Sequence, residues 1–269
     1  EKLISENTEA TPGALLALMR SKNRQSTPVP LETLALAEGI IYQQRGQLVA
    51  NELQAELAVA RAIRNDFWGA FNAFRSDDIN SRILLKARED VILTLAEQAD
   101  DQEFLKLFFS EQIVNYRRDL TNDTLIVLAD RLRRLGISDI AAELITNIPV
   151  ETSPEVAILW AKVNMDLDKP REALTAIIGN ESTEAETIRA DAMEALGRYE
   201  DAIRSYVAVG KDANAALLAW SHDLAPAIYD LGSDAERNFV QLVSTGQLNS
   251  ALEVPDVATN EAFSPSSDI

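Results

Sequence analysis

One spacing recurs three times between residues 123 and 209, and it restricts the fold more than any other feature of the chain. An alanine stands seven residues before a turn-forming residue, and a second alanine stands five residues after it: Ala129, Gly136, Ala141; Ala161, Asp168, Ala173; Ala190, Gly197, Ala202. The turn residues lie 32 and then 29 positions apart. Two consecutive helices approach closely only where small side chains face each other, and the turn between them needs a residue that tolerates the end of a helix. Large apolar side chains, here Leu132, Ile145, Ile177 and Tyr206, then fill the gaps that remain. The pattern predicts an all-α fold of consecutive antiparallel helix pairs.

Composition agrees with that expectation. Only 10 glycines and 9 prolines interrupt 269 residues, and helix formers fill the rest. Periodicity and stop signals predict helices near 31–45, 48–64, 67–75, 81–99, 101–116, 123–135, 138–147, 154–167, 170–178, 184–196, 199–209, 213–230 and 234–245. Ser153-Pro154-Glu155 reads as a cap with proline at the first helical position, and Thr11-Pro12 opens a shorter helix in the same way. Thr183 with Glu186 and Ser233 with Glu236 have capping-box spacing, while Gly136, Gly197, Gly232 and Gly246 stand where helices end. The expected organisation is a short helix and linker over 1–30, a helical body over 31–252 with its clearest repeats at 123–209, and a disordered tail over 253–269.

The stretch from Ala190 to Tyr206, with its Leu196-Gly197-x-Tyr199-x-x-Ala202-Ile203-x-x-Tyr206 core, resembles the tetratricopeptide repeat family. The copies around Gly136 and Asp168 resemble it more loosely, the latter with Pro170 where the family usually has an aromatic residue. Upstream, Val59, Asp66, Trp68, Phe71 and Phe74 form a degenerate echo, with Asp66 placed in the turn and Trp68 in the aromatic slot. The resemblance implies a right-handed α-solenoid whose first helices line a concave groove for extended or helical peptides. The binding residues it implies are Ile126, Asp130, Arg133, Arg134, Lys162, Met165, Asp191 and Glu194. Family members that hold the carboxylate tail of heat-shock chaperones use a Lys/Asn/Arg set. The corresponding places here carry Ile126, Val127, Asp130, Ile158 and Asp191, so that ligand is not expected.

Other chemistry is poorly supplied. With no cysteine and a single histidine, His222, the chain lacks thiol catalysis, disulfides and the usual zinc ligand sets, and no cofactor is expected. Ser221, His222 and Asp223 are sequence neighbours and point to different helix faces, so they form no triad. The carboxylate pairs Asp77-Asp78, Glu89-Asp90 and Asp100-Asp101 could serve a glycosidase, but they sit near helix boundaries where capping or solvation is the commoner use. The net charge of −18 disfavours nucleic acid and anionic membranes as partners. It is uneven: residues 1–100 carry −3 and the remainder −15.

The reading is therefore a non-enzymatic scaffold that binds a protein segment, with no membrane span. A bacterial periplasmic setting is the expectation, since the chain opens on Glu1 without methionine and lacks cysteine. Two alternatives remain: a helical domain of an enzyme acting on peptidoglycan or another polysaccharide, and a self-associating structural component with Trp68 or Trp220 at the contact.

Overall fold

The computed structural model describes residues 12–74 and 81–224, with single positions as far as residue 241. Among the described residues the fold is all-helical, with no strand. The chain forms two compact units, residues 1–168 and 169–269. The first contains α1 (Pro12–Arg24), α2 (Leu31–Gln43), α3 (Leu48–Ile63), α4 (Phe67–Asn72), α5 (Arg82–Gln98), α6 (Asp101–Phe108), α7 (Glu111–Val114), α8 (Asn122–Arg134), α9 (Ser138–Ile145) and α10 (Pro154–Asp166). The second contains α11 (Pro170–Ala176), α12 (Thr183–Ala195), α13 (Tyr199–Ala208) and α14 (Asp212–Ser221).

Local chemistry sets these boundaries. Ser153 caps α10 by accepting a hydrogen bond from the Val156 N–H at 3.3 Å, with Pro154 at the first helical position. At α12 the cap is Ser182, which accepts from the Ala185 N–H at 3.2 Å, so the box expected from Thr183 begins one residue too late. The first helices of the repeat copies end with one geometry, a left-handed turn residue. At Gly136 (φ 78°) the Gly136 and Ile137 amides return to the carbonyls of Arg133 and Leu132 at 2.9 and 3.0 Å. Gly197 does the same, and Asn65, Asp168 and Asp223 adopt the left-handed conformation without being glycine.

Asn65 corrects the register of the upstream echo. It, and not Asp66, takes the left-handed turn at φ 62°. Asp66 instead caps α4, accepting from the Gly69 N–H at 3.0 Å. The repeat therefore runs Ala58, Asn65, Ala70 and Phe74, its first three places one residue earlier than the Val59, Asp66 and Phe71 that the sequence suggests. Phe67 fills the aromatic slot and is fully buried, whereas Trp68 is 38% exposed. With that shift, four copies share one register. All eight alanines in it (58, 70, 129, 141, 161, 173, 190 and 202) are inaccessible to solvent, and Phe74, Ile145, Ile177 and Tyr206 close each copy from buried positions.

In the first unit α3 is buried on two sides. Leu53, Leu57 and Ala60 pack with Leu15, Met19 and Leu34 of α1 and α2, while Ala55, Ala58 and Ala62 join the larger core that continues through α4, α5, α6, α8, α9 and α10. Alternate helices pack directly: α1 on α3, α3 on α5, α5 on α8, and α8 on α10. The segment 23–30, read as a linker, is instead tied down. Val29 is fully buried, and Asn23 donates to the Glu56 carboxylate and carbonyl at 2.8 and 2.9 Å. In the second unit α12 packs on α11 and α13, and α13 on α14, around Ala190, Ala202, Ile203, Tyr206, Ala215, Leu218 and Ala219.

Two expected helices are shorter. The span 101–116 breaks after Phe108, where the Ser110 hydroxyl donates to the Leu107 carbonyl at 2.6 Å and Arg117 donates to the Phe108 carbonyl at 2.8 Å. Helix 213–230 stops at Ser221, because Asp223 turns left-handed and the Leu224 amide returns to Ala219 at 2.9 Å. Thr11, Asp77-Asp78, Gly232, Gly246, the Ser233 box and the tail 253–269 lie outside the described residues, as does the expected helix 234–245 apart from Asp234, Arg237 and Gln241, which are helical.

Candidate functional site

The residues implied as a groove fall into two sets, one in each unit. In the first unit, Asp130 on α8 accepts from Arg133 at 3.4 Å and pairs with Arg134 at 3.1 Å, one helical turn further on. Arg133 also reaches Asp166 on α10 at 3.5 Å, and the Ser138 hydroxyl donates to that same carboxylate at 2.9 Å. Arg133, Arg134, Ser138 and Asp166 line an open depression of about 660 Å³ at the α8–α9 turn. These are compensated charges: each arginine has a carboxylate of its own chain. Ile126 is half-buried against the apolar core and contributes to packing. Lys162 and Met165 are half-buried on α10, and the Met165 carbonyl accepts the Asp168 amide at the turn.

In the second unit, Asp191 and Glu194 are exposed on α12, and both stand next to the buried Tyr206 of α13. The phenol oxygen lies 2.7 Å from Asp191 and 2.8 Å from Glu194. Burial, reinforced by the two carboxylates, pushes the Tyr206 phenol well above its ordinary value of 10.0, so it stays a donor. A phenol has one proton and serves one carboxylate at a time. The arrangement holds two acids close together, with Glu184 and Thr187 on the same helical stripe at the preceding turns.

In the two described carboxylate pairs, Asp100, Asp101 and Glu89 have structural partners. Asp100 caps α6 by accepting from the Glu103 N–H at 2.8 Å, and Asp101 pairs with Arg131. Glu89 accepts from the Thr121 amide at 2.9 Å and from the Thr124 hydroxyl at 2.6 Å. Burial opposes ionisation of Glu89, but the bonds from Thr121 and Thr124 outweigh it and hold its carboxyl below the ordinary 4.5. Its neighbour Asp90 has no such donors, and burial raises it. His222 stacks on Tyr199 with ring centroids 3.5 Å apart, and the Ser221 hydroxyl donates to the Leu217 carbonyl. The histidine is thus a packing partner of the aromatic slot.

Two features escaped the sequence reading. Arg88 is buried on α5 with its guanidinium 3.4 Å above the Tyr116 ring and 4.8 Å above Phe74, and burial lowers its basicity. No local spacing links Arg88 to Tyr116. The second is an open cavity of about 520 Å³ where α2, α3 and the end of α4 meet, with a mixed lining that includes Ile41, Tyr42 and Leu57 beside Glu38, Asn51 and Gln54. The unusually apolar sequence of α2 was the available signal.

Among the described residues no group of three or more His, Cys, Asp or Glu is placed to hold a metal ion, and no helix is long and apolar enough to cross a membrane. Family models, curated proteins and solved structures give no match to this chain.

Proposed function

We propose that the chain is a non-enzymatic scaffold of the tetratricopeptide kind, a right-handed α-solenoid of antiparallel helix pairs that binds a protein segment along its first helices. The observation that carries this reading is the common register of four copies, in which every small residue is buried and every turn residue is left-handed. Such a register is what stacked helix pairs need, because each pair can bury its apolar face only against a neighbour. The packing of α1 on α3, α3 on α5, α5 on α8 and α8 on α10 supports reading these as the row of first helices in the first unit. In this reading Asp130, Arg133, Arg134, Lys162 and Met165 contribute to the surface in the first unit, and Asp191 and Glu194 in the second. Ile126 supports it from beneath. A bacterial envelope assembly is the setting proposed for such a scaffold.

Photo-crosslinking amino acids placed at exposed positions test the surface. Asp123, Glu155 and Glu184 are exposed on α8, α10 and α12, and Asp139, Glu143 and Glu200 are exposed on α9 and α13. The groove reading expects a bound polypeptide to crosslink at the first three in extracts of the native organism. Crosslinks confined to the last three, or to none, reject it.

A further inference from the structure

We draw no further inference here: the strongest candidate, the open cavity of about 520 Å³ between α2, α3 and the end of α4, carries nothing, because Glu38 in its lining is already paired with Arg61, the buried Gln54 donates to the Ala73 carbonyl, and nothing in the structure shows what ligand it would take.

Discussion

Glu89 on α5 is the carboxylate that orders the start of α8, 32 residues away. It takes the Thr121 amide and the hydroxyls of Thr121 and Thr124, and Thr124 is itself buried. Bonds from neutral donors to an ionised carboxylate are stronger than neutral pairs. Glu89→Gln should therefore cost about 1 kcal/mol at neutral pH, measured by urea unfolding. The sign of the pH dependence follows from the lowered folded value. The stabilisation is fully present above the ordinary 4.5 and is lost as pH falls through the lower folded value. The gap between wild type and Glu89→Gln should close in acid, and a gap that persists there would place the effect elsewhere. Gly136 carries a different constraint. At φ 78° a side chain is strained whatever the space, so Gly136→Ala should cost about 1 kcal/mol in the same measurement although nothing lies within 4 Å of the added carbon.

The alanine register is a property of helix pairs, and it makes a sharper prediction than any one residue. Ala58→Leu and Ala129→Leu should each cost about 1–3 kcal/mol by overpacking a crossing whose alanine is inaccessible to solvent. Val59→Leu, at the half-buried neighbour, should stay within about 0.5 kcal/mol. A reversed order of costs at 58 and 59 would reject the register built on Asn65. That register also marks how far the sequence could be read. Glycine fixes the turn unambiguously at 136 and 197, so the spacing there is legible. At Asn65-Asp66 two residues tolerate a turn, and Phe67-Trp68 offers two aromatics for one slot, so periodicity leaves a one-residue slip that only packing decides. Helix ends made by tertiary bonds were equally illegible, as at Phe108, whose carbonyl is taken by Arg117. The candidate site fared likewise. The residues could be named from the repeat, but Arg133 with Asp166 and Tyr206 with Asp191 and Glu194 are contacts between helices, invisible to a one-dimensional pattern.

At the scale of the molecule, the two units differ in both core and charge. The first buries five phenylalanines, Phe67, Phe71, Phe74, Phe104 and Phe108, together with many leucines and isoleucines. The buried cluster of the second, among the described residues, is four alanines with Ile203, Tyr206 and Leu218. Apolar burial stabilises at about 25 cal/mol per Å², so alanine contributes little beside phenylalanine. The second unit is also more densely charged: residues 169–269 carry a net −10 and the longer 1–168 carries −8. Like charge destabilises a compact state by self-repulsion. Both terms act in one direction, so amides of α12 to α14 should exchange with deuterium faster than those of α5 and α8 at low ionic strength. The two causes are separable. Repulsion between exposed carboxylates is screened over about 10 Å at 0.1 M salt, while apolar burial is hardly altered by that amount. Added sodium chloride should therefore slow exchange in α12 to α14 more than in α5 and α8. A uniform slowing would assign the weakness of the second unit to its alanine-rich core alone, and no slowing would remove charge from its stability altogether.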